Sequence, residues 1–309
     1  MKDFRKTLFF LIMLLTLLVL ASCNSEYLPV KAYGEPLYKN IVVIGFDGVG
    51  GMARNGDLMT DGFREFFSTE DSSIRFDYRC EFPSISAQNW GSYLHGVPPA
   101  YHGRTNTSSE NSRFTVKNCP SVFQVIHDVY PEARMASICH WIPINYGLIE
   151  TTAGVYKDPD RPGTDNEYND EEVRDRVCNY IAENGAPTLM FVHFDSPDGY
   201  GHTCGFGSEK YKQAVKNVQQ YALDIFDMYD PETTLFIVIT DHGGTPSGSH
   251  GGLSDAEMEI VFGIRGKGMN VEALDGFDFR PRDLPSIILT AMRIQIPKSM
   301  LGECPIGLF

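Results

Sequence analysis

Apolar and polar residues alternate along the chain in blocks that predict an α/β domain. Short runs rich in β-branched and aromatic residues have the length of single buried strands. These runs lie at residues 40–46, 134–139, 187–194, 234–240 and 259–264. Helical periodicity separates several of them and is clearest at 208–229, where apolar residues recur at spacings of four and three. The residues that would bury one face of this helix are Tyr211, Val215, Val218, Ala222 and Ile225.

Alternation of strands and helices is typical of a sheet that is covered on both faces. The predicted fold is therefore an α/β three-layer sandwich, with a mostly parallel central sheet covered by helices and with small loop or cap insertions. Two stretches rich in Gly, Asn and Asp, residues 103–118 and 151–170, are predicted to be long loops or an inserted cap over the sheet edge. With 309 residues, of which 42% are apolar, the chain is long enough for one large domain.

The N-terminal region has the pattern of an export signal. A basic start precedes an apolar run over residues 8–21, which is shorter than the ~20 apolar residues that a membrane span needs. Small residues then lead to Cys23, and the tetrapeptide LASC resembles a bacterial lipoprotein box. We therefore expect an exported, membrane-anchored bacterial lipoprotein, with residues 1–22 as signal peptide, a lipid on Cys23 and residues 23–38 as a tether. An ordinary secretory signal is the alternative, and the sequence leaves the membrane face, periplasmic or cell-surface, open.

The charge balance is strongly acidic. The full chain has a formal net charge of −14, and removal of residues 1–22, which hold three basic residues and one acidic residue, leaves −16. So negative a surface opposes binding to nucleic-acid polymers, which depends on neutralising phosphates. A small anionic substrate would need local positive charge, and metal ions could supply it.

Six cysteines follow Cys23, and an export compartment would permit disulfides. Their spacing does not select a pairing. No CxxC motif occurs, so a zinc site built from cysteines is not indicated. Cys139 ends an apolar run and is predicted to be a buried free thiol.

Three aspartates, Asp47, Asp198 and Asp241, each come at or just beyond the end of a predicted strand. In an open parallel sheet the carboxyl ends of the strands meet at one edge, where ligands bind. The three carboxylates are therefore expected to converge, although they are far apart in the sequence.

Four segments combine these carboxylates with histidines and a serine: FDGVGG at 46–51, PSISAQNW at 83–90, SPDGYGHTCG at 196–205 and TDHGGTPSGSH at 240–250. Each segment alone fits a turn, a helix cap or a glycine spacer. Together they supply the nitrogen and oxygen ligands of a paired metal site, in which ions about 3.5–4 Å apart clamp the oxygens of a phosphoryl displacement. Within the third segment, Pro197 and two glycines favour a folded loop over a helix.

The four segments resemble the alkaline phosphatase superfamily, and within it the nucleotide pyrophosphatase/phosphodiesterase-like (type I phosphodiesterase) branch. That branch begins with a strand and Asp-Gly, and continues with Pro-x-x-Ser/Thr-x-x-Asn and Gly-x-x-Pro-x-x-His-Gly, which here read PSISAQNWGSYLHGVPPAYHG at 83–103. Pro-Asp-x-x-Gly-His follows at 197–202, and then a later Asp-His-Gly precedes a further histidine, His250. The matches span about residues 40–265 and imply that residues 39–309 form an alkaline-phosphatase-like catalytic domain.

The resemblance also implies the metal ligands and the nucleophile. It assigns two ligand sets, Asp198, His202 and His250 for one ion and Asp47, Asp241 and His242 for the other. Ser86 would be the nucleophile that bridges toward the ions, and Asn89 would bind a phosphate oxygen as an oxyanion donor. If a helix starts at Ser86, its backbone N–H groups would also favour a phosphate. The implied cofactors are two divalent metal ions, zinc or alternatively manganese, and the implied reaction hydrolyses a small phosphate ester through a phosphoserine.

Other functions remain open on the sequence alone. A serine hydrolase around Ser249 lacks the first glycine of its G-x-S-x-G motif, and a sulfatase would need x-Pro-x-Arg where Ser86 is followed by Ala-Gln-Asn-Trp. The intact ligand set argues against a third interpretation, a non-catalytic surface lipoprotein with a decayed site. A phosphomonoesterase or phosphotransferase of the same superfamily stays open. Because no motif-matched arginine stands beside Ser86 to neutralise a dianionic monoester, we expect a phosphodiester or nucleotide pyrophosphate substrate; the oligomeric state is unknown.

Overall fold

The computed structural model describes residues 28–50, 58–113, 118–158 and 169–309. The predicted signal peptide, Cys23 and the first part of the predicted tether lie outside the described residues. The last part of that tether packs on the domain, where Ala32 pairs with Ile294 and Tyr33 N donates to Arg293 O at 2.8 Å. Within the described ranges, no helix combines the length and the apolar character that crossing a bilayer requires.

A seven-stranded sheet forms the centre of the described part of the chain. Its strands are β1 (Asn40–Phe46), β2 (Ser72–Arg79), β3 (Met135–Cys139), β4 (Val155–Lys157), β5 (Leu189–Phe194), β6 (Thr234–Thr240) and β7 (Glu259–Arg265). The order across the sheet is β2-β7-β6-β1-β5-β3-β4; β1, β3, β4, β5 and β6 are parallel, and β7 is antiparallel to both of its neighbours. The five predicted strands are confirmed. The pattern missed β2, whose sequence SSIRFDYR carries three charges, and β4, which is three residues long.

The α-helices of the described residues are α1 (Asp61–Phe66), α2 (Ser86–His95), α3 (Pro99–His102), α4 (Asn106–Asn111), α5 (Val122–Val129), α6 (Asp170–Asn184), α7 (Ser196–Cys204), α8 (Glu209–Phe226), α9 (Asp255–Met258) and α10 (Leu284–Ala291). The helix predicted at 208–229 is confirmed as α8, and the side chain of its N-cap, Ser208, accepts from Tyr211 N. The stretches 103–118 and 151–170 contain α4 and β4, so regular structure interrupts both predicted loops.

Helices cover both faces of the sheet, which confirms the predicted three-layer architecture. Alternate residues of β1 enter different cores: Ile41 and Val43 pack on the side of α2, α5 and α10, and Val42, Ile44 and Phe46 pack on the side of α6 and α8. Every residue of β1, β5 and β6 is buried. Burial on both faces explains why these strands read as nearly continuous apolar runs.

The register of the central strands sets the position of the candidate site. Phe46, the last residue of β1, pairs with Phe194 of β5 on one side and with Thr240 of β6 on the other. Asp47 N extends the ladder by donating to Phe194 O at 2.9 Å. The residues that follow these three strands therefore leave the sheet side by side at its carboxyl edge, where ligands bind in open α/β sheets.

Candidate metal centre

Two of the predicted ligands follow β1 and β6 as buried carboxylates. Asp47 and Asp241 are 1% and 0% exposed. Asp241 Oδ1 accepts from Gly48 N at 3.1 Å and from His242 N at 2.9 Å, so this oxygen joins the ends of both strands. His242 Nε2 lies 3.3 Å from Asp241 Oδ2 and 3.5 Å from Asp47 Oδ1. Because β6 ends at Thr240, the adjacent Asp241 and His242 face one point.

Asp198 and His202 lie on a helix, so the predicted folded loop is wrong. The helix is α7, and Pro197 in its first turn occupies a position that favours proline. The carboxylate of Asp170 accepts from Ser196 N at 2.7 Å, which stabilises the helix start despite the glycines inside it. Helical spacing then brings Asp198 Oδ2 within 3.2 Å of His202 Nε2.

His250 lies in the loop that follows β6 and completes the predicted ligand set that contains Asp198 and His202. Its Nε2 lies 3.2 Å from His202 Nε2 and 3.8 Å from Asp198 Oδ1. Its ring also stacks on the ring of His242, with the centroids 3.8 Å apart. The two predicted ligand sets therefore form one continuous cluster, although their members come from three separate segments.

Backbone carbonyls orient the three histidines of the cluster. Each Nδ1 lies 2.8–2.9 Å from a carbonyl oxygen, which is that of Gly248 for His202, of Gly243 for His242 and of Ser84 for His250. A carbonyl oxygen only accepts, so each Nδ1 carries a hydrogen and each Nε2 is the nitrogen left for a metal or a proton. This is the arrangement that metal-binding imidazoles adopt.

Buried carboxylate oxygens face these nitrogens. Asp47 Oδ1, Asp198 Oδ1 and Asp241 Oδ2 have no hydrogen-bond partner among the described residues. Each lies 3.3–3.8 Å from an imidazole Nε2. Ligand atoms of Asp47, Asp241 and His242 lie within 4.8 Å of one another, and so do those of Asp198, His242 and His250. An unpartnered buried carboxylate is costly, and cations among these atoms would remove that cost, so the residues fit a centre of divalent ions.

Burial raises the pKa of both strand-end carboxylates, but the net pKa shifts of the two are opposite. Burial and the negative charge of Asp47 raise the pKa of Asp241 well above its usual range. Burial would also raise the pKa of Asp47, but the hydrogen bond from His193 and the electrostatic effect of the neighbouring His242 ring hold this pKa below its usual range. The two carboxylates thus share a dry environment in which a bound cation would supply the missing positive charge.

Ser86 is the first residue of α2, which confirms the predicted helix start. The N-cap residue, Ile85, is extended, so the chain changes direction directly before the serine. Ser86 is 8% exposed, and its Oγ lies 3.3 Å from His242 Nε2. Ser84 fixes the preceding loop by donating from Oγ to Gly252 O at 2.9 Å. The predicted nucleophile therefore lies beside the cluster on a firmly held turn.

Asn89 holds the loop before Ser86 in place. It is fully buried, and its Nδ2 lies 3.1–3.3 Å from the carbonyl oxygens of Glu81, Pro83 and Ile85. Its Oδ1 accepts from Glu81 N at 2.8 Å. Because both ends of the amide bind this loop, the geometry does not support the oxyanion role predicted from the sequence.

Asn106 is a residue that the sequence analysis did not single out. It begins α4, and its Oδ1 accepts at 3.0 Å from the backbone N–H of Ala87, the residue after Ser86. This bond places the Asn106 amide at the residue next to the nucleophile, and no described residue accepts a hydrogen bond from its Nδ2. No periodicity or spacing could have revealed it, because Asn106 falls within the stretch 103–118 that reads as a loop.

The geometry does not form a serine-hydrolase triad. Ser249 Oγ contacts Thr245 Oγ1 at 3.0 Å within its own turn. The Ser86 hydroxyl and the Asp241 carboxylate both face Nε2 of His242, whereas a triad places the carboxylate at Nδ1. The arrangement of Ser86, His242 and Asp241 is therefore not that of a Ser-His-Asp triad.

The cysteines of the described residues are free thiols, which are Cys80, Cys119, Cys139, Cys178, Cys204 and Cys304. Cys139 is buried, as predicted. Its burial raises the pKa of the thiol to about 12, which keeps the sulfur uncharged and unreactive.

Comparison with solved structures supports the fold class. A sulfatase from Bacteroides thetaiotaomicron, described as putative, matches with a TM-score of 0.67 and 14% identity, over 89% of this chain and 75% of that one. Murine ectonucleotide pyrophosphatase/phosphodiesterase 5 matches with a TM-score of 0.61 and 11% identity, over 86% of this chain and 97% of that one. At such low identity these matches show a shared fold alone.

The sequence comparisons define the family. Residues 41–254 match the family described as type I phosphodiesterase/nucleotide pyrophosphatase, and the chain belongs to this family. Membership places it among enzymes that act on phosphoesters. Mouse GPI ethanolamine phosphate transferase 1 is 25% identical over 161 residues, and transferase 3 from Schizosaccharomyces pombe is 29% identical over 109 residues. The matched parts are 44% and 35% of this chain but only 17% and 11% of those relatives.

Proposed function

We propose that this chain hydrolyses a phosphodiester or a nucleotide pyrophosphate, with Ser86 as nucleophile, at a centre of two divalent metal ions that are zinc or manganese. One observation carries the proposal: Ser86 Oγ, imidazole Nε2 atoms and unpartnered carboxylate oxygens meet at one point. The proposed ligands are Asp198, His202 and His250 for one ion and Asp47, Asp241 and His242 for the other. Family membership supports the reaction class.

The proposed reaction starts with attack of Ser86 Oγ on phosphorus: the hydroxyl gives up its proton, the bond to the leaving group breaks, and the phosphoserine that forms keeps the other ester group of the substrate. When bound, the two cations would neutralise phosphoryl charge and lower the pKa of the attacking hydroxyl. Asn106 Nδ2 would donate to a phosphate oxygen beside the serine. Asn89 would keep the turn rigid, so that Ser86 meets the substrate without a reorganisation cost. Water would then cleave the phosphoserine and regenerate the hydroxyl.

A singly charged phosphate group suits the site better than a dianionic one. Arg104, the nearest arginine in the motif region, donates to Ser112 Oγ at 2.9 Å, which directs its guanidinium to the α4 segment. The structure of inactive murine ectonucleotide pyrophosphatase/phosphodiesterase 5 in complex with AMP supports a nucleotide-sized substrate by analogy of fold.

Substrate profiling tests this preference. We expect kcat/KM to be larger for a nitrophenyl phosphodiester or a dinucleoside pyrophosphate than for the matching nitrophenyl monoester, because kcat/KM reports differential transition-state binding. A clear preference for the monoester would favour the phosphomonoesterase alternative. Activity on none of these esters, with zinc or manganese supplied, would overturn the proposal.

A phosphotransferase is the second candidate, and the named transferase relatives favour it. In that reaction an alcohol, rather than water, accepts the phosphoryl group from Ser86. Turnover of a phosphodiester in the presence of ethanolamine or glycerol separates the two candidates. Hydrolysis products should dominate if the proposal holds, whereas a product ester that grows with acceptor concentration would favour transfer.

We propose further that the protein is an exported lipoprotein anchored through Cys23, on the strength of the basic start, the apolar run and the LASC tetrapeptide. Cys23→Ala should abolish acyl labelling and release the exported protein into the soluble fraction. Labelling of this variant at the wild-type level would exclude the anchor.

A further inference from the structure

The two oxygens of Asp47 have different surroundings. Asp47 Oδ2 accepts two hydrogen bonds of 2.9 Å, from Trp90 Nε1 and from His193 Nε2. Asp47 Oδ1 has no hydrogen-bond partner among the described residues and faces the metal centre, 3.5 Å from His242 Nε2. Trp90 and His193 are fully buried, so water does not compete for these contacts.

The tautomer of His193 is set by its other nitrogen. Trp141 N donates to His193 Nδ1 at 3.4 Å, so Nδ1 is an acceptor and Nε2 carries the hydrogen that Asp47 receives. The ring of His193 packs edge to face on Trp90, with the centroids 5.1 Å apart. Each donor therefore also fixes the orientation of the other.

The chain makes room for this arrangement two residues before Asp47. A Cβ atom at Gly45 would lie 2.4 Å from Trp90, a distance that excludes any other residue unless the indole moves. The sequence Gly45-Phe46-Asp47 thus combines the carboxylate with the space that its indole donor needs. His193 pairs with Gly45 in the register of β5 and β1, which brings its ring to the same place.

We infer that Trp90 and His193 are positioning residues that hold Asp47 as a one-oxygen metal ligand, with Oδ2 occupied and Oδ1 directed to the ion. Neither residue touches substrate in this account; both act through Asp47. The inference rests on the proposed function, since it assumes that Asp47 binds a metal. Partners of this kind typically change metal affinity by about 10–100-fold when they are removed.

Metal titration of the chelator-treated protein tests the inference without using activity. Zinc is added in competition with a chromophoric chelator, which resolves the affinities of the two sites. Trp90→Phe and His193→Leu should each weaken one of the two sites, that of Asp47, Asp241 and His242, by about 10–100-fold. The other site should change by less than about threefold. His193→Gln should recover most of the loss, because its amide nitrogen can donate to Asp47 Oδ2.

Ser92→Ala is the matched control, because it removes a buried hydrogen bond within α2, from Ser92 Oγ to Gln88 O, that does not involve Asp47. It should leave both affinities unchanged. Circular dichroism verifies folding, and Trp90→Phe and His193→Gln carry the test if His193→Leu does not fold. Wild-type affinity in Trp90→Phe, or equal losses in His193→Gln and His193→Leu, would overturn the inference alone. A wild-type protein that binds no zinc would overturn the proposed function and the inference together.

Discussion

Ser86 Oγ lies 3.3 Å from His242 Nε2, although 156 residues separate the two positions in the sequence. The contact joins the first turn of α2 to the carboxyl end of β6 and brings a hydroxyl to the imidazole that also faces the buried carboxylates of Asp47 and Asp241. The proposed nucleophile and a proposed metal ligand thus lie in contact, and the proposed chemistry depends on this proximity.

Ser86→Ala should abolish turnover and leave the fold and the metal content nearly unchanged, because the lost hydroxyl contributes little packing. Activity on a nitrophenyl phosphodiester, metal content and thermal unfolding measure the three properties. Ser92→Ala, on the same helix, is the control and should keep wild-type activity. Wild-type turnover in Ser86→Ala would show that another residue is the nucleophile.

Asn106→Ala and Asn89→Ala should have different effects. Asn106→Ala should lower kcat by roughly 10²–10³, as expected for a lost oxyanion donor, with little change in stability. Asn89→Ala should lower the free energy of unfolding by about 1–3 kcal/mol, because it leaves the partners of a fully buried amide unsatisfied. Parallel kinetics and denaturant unfolding separate the two. A large kcat loss in Asn89→Ala at unchanged stability would restore the role predicted from the sequence.

Metal removal should inactivate the protein reversibly. Dialysis against EDTA should remove activity, and zinc or manganese should restore it, because the carboxylates and imidazoles lose the ions they would share. Elemental analysis should find about two divalent ions per chain in the reloaded protein. Activity that is indifferent to EDTA would contradict the metal-dependent mechanism.

The metal-free protein should show a histidine with a raised pKa. Hydrogen bonding to Asp198 raises the pKa of His202 to about 9, above the ordinary value near 6.5. A pKa raised by folding adds stability that is fully present below about pH 6.5 and is lost as the pH rises through 9. Unfolding of the EDTA-treated protein should therefore become easier between these limits, and NMR should report the titration directly. His202→Asn should remove that part of the pH dependence; an unchanged profile would refute the assignment.

The fold was largely predictable because the strands β1, β5 and β6 are buried on both faces and read as apolar runs. β2 escaped prediction because its charged residues face solvent on an antiparallel edge strand. The clustering of the proposed ligands was predictable from strand ends and from the family resemblance. The local structure that positions these residues was not predictable. Asp198 and His202 lie on α7, and the start of this helix depends on a hydrogen bond to Asp170 that local propensity does not reveal.

The roles of the two asparagines show the same limit at the level of single side chains. Asn89 matched a motif position, yet its partners are carbonyls of the preceding loop. Asn106 matched none, and it reaches the residue after Ser86 only because α4 packs near α2. Motif spacing identifies which residues belong to a site, whereas the direction of each amide depends on tertiary contacts.

Trapping of the covalent intermediate tests the central claim most directly. The zinc-loaded protein is mixed rapidly with a nitrophenyl phosphodiester, quenched in acid and analysed by peptide mass spectrometry, with Ser86→Ala in parallel. The account predicts a phosphoryl adduct on Ser86 in the wild-type protein and none in the variant. An adduct on a different residue, or full turnover by Ser86→Ala, would contradict it.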